Sequence, residues 1–261
     1  MPNIVVLVKQ VPDTYSERKL TDGDHTLDRD SADAVLDEIN ERAVEEALQL
    51  KEAQGGEVTV LSVGPERAAE AIRKALSMGA DKAVHVSDPA LHGADVVQTA
   101  KVLAAAIGRV EGVDLVIAGN EASDGGGGAV PAILAELLGY PQLTHARKVT
   151  VDGTTITVDR ETDDGITHLE ATLPAVVSVG EKINEPRYPS FKGIMAAKKK
   201  PVDTLTVADL GIDAGEVGLS NAWSEVLEAS PKPPRTAGQR VTDEGDGGAK
   251  IAAYLVSQKL I

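Results

Sequence analysis

Residues 115–130 read Leu-Val-Ile-Ala-Gly-Asn-Glu-Ala-Ser-Asp-Gly-Gly-Gly-Gly-Ala-Val, four apolar residues followed by a polar loop with four consecutive glycines. This pattern predicts a buried strand over Leu115–Ala118 and a loop over Gly119–Val130. A helix is expected over Ala132–Leu138, because Gly139 follows it and glycine commonly ends helices. In an open α/β sheet, ligands bind at the carboxyl ends of the strands, so the loop is also a candidate binding site.

The residues that precede this stretch repeat the alternation of short apolar runs and longer helical patterns. Such alternation is typical of βαβ units, in which helical crossovers join parallel strands. We therefore predict an α/β fold of the adenine-nucleotide-binding, Rossmann-like type, an open parallel sheet with helices on both faces. The predicted strands are Ile4–Val8, Val58–Val63 and Ala83–Val86, and the predicted helices are Glu38–Ala53, one between Pro65 and Gly79, and Val96–Ile107.

The pattern changes after the glycine-rich loop and its helix. Three runs of alternating polarity, separated by Asp-Gly turn signals, predict an antiparallel extension of the sheet before a buried strand at Ala175–Val179. Residues 230–248 are rich in proline and glycine and predict an extended C-terminal arm, with a short terminal helix at Ala249–Leu260. The three antiparallel runs are Lys148–Asp152, Thr154–Arg160 and Thr167–Thr172.

Composition excludes several classes of function. The net charge of −15 opposes binding to nucleic acid or to an anionic membrane. The absence of cysteine removes disulfides, thiol nucleophiles and thiolate metal ligands, and fits a cytoplasmic setting. No apolar run approaches the ~20 residues of a membrane span, so we expect no membrane insertion.

The glycine-rich loop predicts phosphate or nucleotide binding, because glycines let backbone N–H groups approach a phosphate and a helix N-terminus favours an anion. The alternative is a flexible loop without a ligand, since four consecutive glycines lose much conformational entropy on ordering. No Gly-Lys-Ser or Gly-Lys-Thr follows, so the loop is not a Walker A motif. The polar residues Lys9 to Thr14, after the first strand, would either contact a ligand or form a turn shaped by Pro12.

Catalytic and metal sites are poorly supported. The five histidines lack His-x-x-x-His spacing, and no serine lies in a Gly-x-Ser-x-Gly motif. The paired acids Asp163 and Asp164 lie in a predicted turn and are expected to be solvated. We therefore predict neither catalytic residues nor a metal site.

A different kind of surface is predicted after the strand at Ala175–Val179. Residues 184–200 combine Pro186, Pro189 and Gly193 with apolar side chains beside a run of three lysines. Apolar side chains that are exposed next to basic residues favour docking to another protein, and a merely solvated lysine run is the alternative. The apolar residues are Phe191, Ile194 and Met195, and the lysines are Lys198, Lys199 and Lys200.

The chain resembles the electron transfer flavoprotein β-subunit family along nearly the whole of its length, and four blocks of sequence carry this resemblance. Asp159–Lys200 includes Arg-Glu-Thr-Asp-Asp-Gly at residues 160–165, Leu-Pro-Ala-Val-Val-Ser at 173–178 and Asn-Glu-Pro-Arg-Tyr at 184–188. Residues 234–238, Pro-Arg-Thr-Ala-Gly, also look like the family's C-terminal arm. The other three blocks are Val8–Asp13, Asn40–Ala47 and Ile72–Asp81.

The resemblance implies one half of an αβ heterodimer that carries electrons by way of FAD, which the α subunit mainly holds. Electrons would come from acyl-CoA and related dehydrogenases and leave through a quinone oxidoreductase to the respiratory chain. The same resemblance divides the chain into a nucleotide-binding α/β domain at 1–183, a partner recognition loop at 184–200, and a C-terminal arm and helix at 201–261. Partner docking would involve Tyr188, Phe191, Ile194, Met195, Lys198, Lys199 and Lys200, with Phe191 at a position where the family often has leucine.

In the same family, the β subunit also binds an AMP of structural role. Carried over residue by residue, AMP contacts would fall at Leu7, Asp37, Glu38, Ile39, Asn40, Val63, Gly119, Asn120, Glu121, Ala122, Ser123, Asp124, Gly125, Gly126, Gly127, Gly128, Ala129 and Val130. The first alternative is a bifurcating subunit that carries a second FAD in place of AMP and reacts with NADH. The second is a non-redox, nucleotide-binding regulatory module, which would explain neither the antiparallel extension nor the docking loop.

Overall fold

The computed structural model describes residues 2–230, 232–235, 238 and 240–261. Its contacts divide the chain into a unit of residues 1–227 and a smaller unit of residues 228–261. The family-like arm sequence at residues 234–238 contains Thr236 and Ala237, which lie outside the described residues.

The first unit is built on one nine-stranded sheet in which seven strands are parallel and the last two are antiparallel. The spatial order is β11-β5-β4-β1-β6-β10-β7-β8-β9, and β2 and β3 form a separate antiparallel pair. The predicted α/β fold is confirmed. The strands are β1 Asn3–Leu7, β2 Gln10–Pro12, β3 Ala34–Leu36, β4 Glu57–Val63, β5 Lys82–Val86, β6 Leu115–Gly119, β7 Gln142–Asp152, β8 Thr155–Thr162, β9 Gly165–Thr172, β10 Ala175–Val179 and β11 Val202–Leu205.

Helices cover both faces of this sheet, as the sequence predicts. The first two helices bury small apolar residues against one face, where Ala43, Ala47, Ile72 and Ala75 are fully buried. The third and fourth bury Val102, Ala106 and Leu134 against the other face. Small side chains at these positions allow close helix–sheet packing in a chain with one phenylalanine. The helices of the first unit are α1 Glu38–Gln54, α2 Ala69–Met78, α3 Val96–Ile107, α4 Val130–Leu138 and α5 Phe191–Ala197.

The order of the strands creates a crevice beside β1. From β1 the chain passes to β4 and β5 on one side, and then returns to β6 on the other side of β1. Chain order therefore reverses at the β1–β6 pair. In open α/β sheets such a switch point leaves a crevice at the carboxyl ends of the strands, where ligands bind.

Two segments differ from the sequence-based prediction. Strand β7 begins at Gln142 rather than at Lys148, because its first residues pair in parallel with β10 before the rest pairs with β8. Helix α5 and strand β11 lie where the sequence predicts a recognition loop, at residues 184–200, and the start of a C-terminal arm. Since β11 pairs with β5 at the sheet edge, residues 201–227 lie in the first unit rather than in an arm.

The second unit contains helix α6, Gly247–Ser257, close to the predicted Ala249–Leu260 helix. Lys250 pairs with Asp246 one turn earlier, at 2.8 Å between the ammonium nitrogen and a carboxylate oxygen. Ile251 and Val256 of this helix are exposed within the described residues.

Candidate functional site

A cavity of about 330 Å³ lies at the carboxyl ends of β1, β4 and β6. The N-terminal residues of α3 and α4 complete its wall. It therefore occupies the switch point of the sheet, where the fold places ligands. The predicted residues that line it are Leu7, Asn40, Val63, Gly119, Asn120, Glu121, Ala122, Asp124, Gly125, Gly126, Gly127, Gly128, Ala129 and Val130.

The backbone of the glycine-rich loop needs glycine for two different reasons. Gly126 and Gly128 have φ values of 59° and 60°, a left-handed conformation that residues with a Cβ rarely adopt. At Gly119 a Cβ would lie 2.6 Å from the Asn40 side-chain nitrogen, so glycine permits close approach of β6 to the start of α1. In contrast, a Cβ on Gly127 would meet no heavy atom within 4 Å. The loop therefore leaves open space at Gly127, beside the cavity.

Four predicted contacts, Asp37, Glu38, Ile39 and Ser123, lie outside this cavity. Asp37 is fully buried and caps α1, where its Oδ1 accepts hydrogen bonds from the backbone N–H groups of Ile39 and Asn40 at 3.0 and 3.1 Å. Its Oδ2 accepts from the Ser123 N–H at 2.8 Å. Ile39 is buried in the core and Glu38 is exposed. Asp37 thus anchors the loop by a hydrogen bond outside the cavity, and the Ser123 N–H points to Asp37 rather than into the cavity.

The start of α4 is suited to an anion. Its N-cap residue, Ala129, provides no side-chain hydrogen bond, and Pro131 lies in the first turn. The first N–H groups of a helix have no partners within the helix, and the helix dipole places a partial positive charge there. The Oδ1 atom of Asn120, another lining residue, is buried without a hydrogen-bond partner among the described residues. Both features provide unused hydrogen-bonding capacity at the cavity.

Lys9 is the first of the residues, Lys9 to Thr14, for which the sequence left ligand contact and turn formation open. It lines the cavity, and its ammonium group lies 2.8 Å from Asp124 Oδ1. Arg29 also approaches Asp124, at 3.5 Å, and the Asp124 side chain is only 3% exposed. The Lys9 N–H donates to Asn40 Oδ1 at 2.7 Å, which fixes that amide. The two cations stabilise the loop by neutralising its buried carboxylate.

Sequence reasoning missed the α3 side of the cavity, where Asp95, Val96 and Thr99 lie. Asp95 caps α3 by accepting from the Gln98 N–H at 2.8 Å, and it accepts from the Trp223 N–H at 2.6 Å. Burial opposes ionisation, but these hydrogen bonds lower the pKa of Asp95. An aspartate directly before the predicted helix at Val96 was the available signal.

The predicted docking residues lie on and around α5. Phe191 is 81% exposed, Tyr188 is also exposed, and Ile194 and Met195 lie partly exposed on the same short helix. A Cβ on Gly193 would lie 2.4 Å from the Ser77 carbonyl oxygen, so glycine allows α5 to rest on the end of α2. Lys198 and Lys199 are exposed.

Lys200 differs from the other predicted docking lysines. Its ammonium group donates to the carbonyl oxygens of Leu76, at 2.9 Å, and Ala80, which lie at the end of α2. Burial lowers the pKa of Lys200. A cation is favourable at a helix C-terminus, so this lysine stabilises the position of residues 184–200 on α2.

Within the part of the chain that the structure describes, no three His, Asp or Glu side chains are grouped as metal ligands would be. Across the same residues, none of the helices combines the length and the apolar character needed to cross a membrane.

Comparison with known proteins gives a consistent picture. The model of the electron transfer flavoprotein domain matches residues 24–210. The chain is 68% identical, over the full length of both proteins, to the electron transfer flavoprotein subunit beta of Mycobacterium tuberculosis. It is 40% identical to the protein of that name from Thermoanaerobacterium thermosaccharolyticum, covering 99% of this chain and 97% of the relative. It is 35% identical to a caffeyl-CoA reductase–Etf complex subunit, CarD, of Acetobacterium woodii, covering 98% and 97%.

Proposed function

The chain belongs to the electron transfer flavoprotein family, as a β subunit with a role in electron transfer, and we propose that it works in a cytoplasmic heterodimer with an α subunit. The heterodimer carries electrons on FAD from acyl-CoA and related dehydrogenases. It delivers them to the respiratory chain through a quinone oxidoreductase. In this complex the β subunit binds AMP and docks the dehydrogenase.

The cavity supports AMP as the ligand of the β subunit. Ligand pockets commonly have volumes of about 300–1,000 Å³, so a cavity of about 330 Å³ is suited to a mononucleotide. The N–H groups at the start of α4 and in the glycine-rich loop would hold the phosphate, as helix N-termini commonly do. Leu7, Val63 and Leu103 provide an apolar wall for the base.

The electron-transfer step places few chemical demands on this chain. FAD supplies the redox chemistry when bound, and its size relative to the cavity favours a site that lies mainly on the α subunit. The residues of this chain therefore need to bind, orient and dock rather than move protons. This role agrees with an electron carrier subunit rather than an enzyme with its own catalytic residues.

The docking segment, residues 184–200, supports the proposed contact with a dehydrogenase. Phe191 and Tyr188 are exposed next to Lys198 and Lys199 on a chain whose net charge is −15. A small apolar anchor beside a basic group fits an apolar pocket with an acidic rim. Small interfaces give weak complexes that dissociate rapidly, as a mobile electron carrier requires.

The AMP proposal rests on the cavity, whose wall includes the start of α4 with no side-chain cap. Cofactor analysis tests this proposal. The purified αβ heterodimer is denatured, and released FAD and AMP are quantified. We expect one FAD and one AMP per heterodimer. Two FAD and no AMP would replace the proposal by a bifurcating, NADH-linked subunit. A chain that purifies without an α subunit or flavin would contradict the electron-carrier function.

Truncation of the anchor tests docking separately. Phe191→Ala should raise the KM of an acyl-CoA dehydrogenase for the heterodimer by about tenfold or more, since loss of a central anchor can cost about 2 kcal/mol. Flavin content and the flavin absorption spectrum should not change. Ile166→Ala, on the exposed strand β9 at the opposite edge of the sheet, is the matched control. Loss of flavin in Phe191→Ala would contradict its assignment to docking.

A further inference from the structure

Helix α1 carries two adjacent glutamates where apolar residues would be expected. Glu45 is 4% exposed and Glu46 is 6% exposed, and both belong to the buried side of the helix. Burial of a carboxylate is costly unless it is paired and hydrogen-bonded. Both side chains contact the first residues of the docking segment, so the location of their partners explains their burial.

Arg187 is the partner of Glu45. Its Nε donates to Glu45 Oε2 at 2.7 Å and its Nη2 donates to Glu45 Oε1 at 3.0 Å, a two-point contact that fixes the plane of the guanidinium group. The Arg187 backbone N–H donates to Glu45 Oε2 at 3.2 Å. The same guanidinium group contacts Glu52, with Nη2 at 3.1 Å from Oε2. Arg187 therefore bridges two glutamates seven residues apart on one face of α1.

Asn184 makes a second set of contacts with the same helix. Its Nδ2 donates to Glu46 Oε2 at 3.0 Å and to the Arg42 carbonyl oxygen at 3.1 Å. Arg42 in return donates to the Asn184 carbonyl oxygen. Asn184 and Arg187 are thus fixed in backbone and side chain at the two ends of residues 184–187, just before the exposed Tyr188.

The other end of the docking segment is held by a different helix. Gly193 lies against the Ser77 carbonyl, and Lys200 donates to the carbonyls at the end of α2. The exposed anchor Phe191 lies between these two attachments. Neither attachment involves the Phe191 side chain itself, so each can act on Phe191 only through the position of α5.

From this arrangement we infer that Arg187 is a positioning residue for partner docking, which acts through Phe191 by fixing residues 184–187 to Glu45 and Glu52. The inference rests on the proposed docking function of residues 184–200. Arg187 is half-buried, with its guanidinium group occupied by the two glutamates, so its role does not require contact with the partner. Lysine provides one ammonium group in place of the planar fork and cannot reproduce the two-point bridge.

The experiment is a double-mutant cycle in the intact heterodimer, with an acyl-CoA dehydrogenase as electron donor. Arg187→Lys should raise the KM for the heterodimer by about fivefold to tenfold, and kcat should stay within about twofold. In the Phe191→Ala background, Arg187→Lys should add less than about twofold, because the anchor that it positions is absent. Arg109→Lys, an exposed arginine beyond the end of α3, is the matched control and should leave KM unchanged.

The outcomes separate this inference from the docking proposal. If Phe191→Ala raises KM but Arg187→Lys does not, or if the two effects multiply fully, Arg187 does not act through Phe191 and the inference is wrong. If Phe191→Ala leaves KM unchanged, the docking proposal fails and the inference fails with it. If Arg187→Lys prevents assembly, Glu52→Gln removes only the outer half of the bridge at an exposed residue. Glu52→Gln should then raise KM by about twofold to threefold, and an unchanged KM would overturn the inference.

Discussion

Replacement of Asp37 by alanine should release the glycine-rich loop while the cavity walls remain in place. Asp37 Oδ1 caps α1 through Ile39 and Asn40, and Oδ2 is the acceptor for Ser123. Loss of an N-cap aspartate costs about 1 kcal/mol. The unpaired Ser123 N–H costs about 1 kcal/mol more, the lower end of the range for a buried donor, because Ser123 is only partly buried.

The loss of about 1 kcal/mol at the Ser123 N–H corresponds to about fivefold faster amide exchange in the loop, where exchange proceeds by local opening, and the lost cap has a similar effect at the start of α1. Hydrogen–deuterium exchange with mass spectrometry on the heterodimer measures this directly in peptides that cover residues 119–130. Asp37→Asn should give faster exchange in the same peptides but not at the start of α1. Its amide oxygen can still cap the helix, whereas its NH₂ group would face the Ser123 N–H.

Asp95→Ala is the matched control, because Asp95 caps α3 on the other wall of the cavity. It should accelerate exchange at the start of α3 and leave residues 119–130 unchanged. The reasoning is refuted if Asp37→Ala changes exchange in residues 119–130 by less than about twofold, since the Ser123 bond would then contribute nothing to loop order.

Three further predictions concern single substitutions. Gly193→Ala should destabilise the contact between α5 and α2 by about 1–3 kcal/mol, because its Cβ would lie 2.4 Å from the Ser77 carbonyl, and faster exchange in peptides covering 190–198 would report it. Gly127→Ala should leave the unfolding temperature unchanged, since a Cβ there meets no heavy atom within 4 Å. Because Gly127 lines the cavity, the same change should reduce the AMP that we propose the heterodimer retains, and unchanged AMP would contradict this. Burial raises the pKa of Glu46 above its ordinary value of 4.5, so folding favours the protonated form and ionisation at higher pH costs stability. Glu46→Gln should therefore raise the unfolding temperature at neutral pH and lose this advantage below pH 4.5, whereas an equal gain at both pH values would contradict it.

The sequence predicts most of the fold because buried parallel strands are continuous apolar runs. Ala175–Val179 and Val96–Ile107 are predicted with the bounds that the structure shows, since each has a sharp change of composition at its ends. Strand β11 and helix α5 are missed for the opposite reason. Val202–Leu205 is an edge strand with mostly exposed side chains, and α5 is only seven residues long, too short for the helical spacing of Phe191, Ile194 and Met195 to distinguish it from a loop. Only tertiary contacts with β5 and α2 define these two elements.

The sequence predicts the part of the candidate site that is formed by a glycine-rich backbone. It does not predict the part that is formed by side chains in contact with distant segments. Four glycines between a strand and a helix indicate the loop without any structure. In contrast, the position of Asp37 behind the loop, and the inward direction of Lys200, depend on rotamers that place one atom against a distant segment. Local sequence contains no information about such partners, which are 86 and 124 residues away.

Helix α1 links these observations, because two sites share it. Its first turn holds the cavity loop through Asp37 and lines the cavity with Asn40, and its middle turns hold the docking segment through Glu45 and Glu46. These two sets of contacts explain why α1, which packs against the sheet, buries four polar side chains: Asp37 at its N-cap, and Asn40, Glu45 and Glu46 within the helix. An apolar residue in place of Asp37, Glu45 or Glu46 would leave the glycine-rich loop or residues 184–187 without an attachment. In place of Asn40 it would leave the Lys9 N–H without its acceptor. The buried polar residues of α1 therefore specify where the glycine-rich loop and the proposed docking segment lie, and apolar packing of the same helix supplies the stability that offsets their burial.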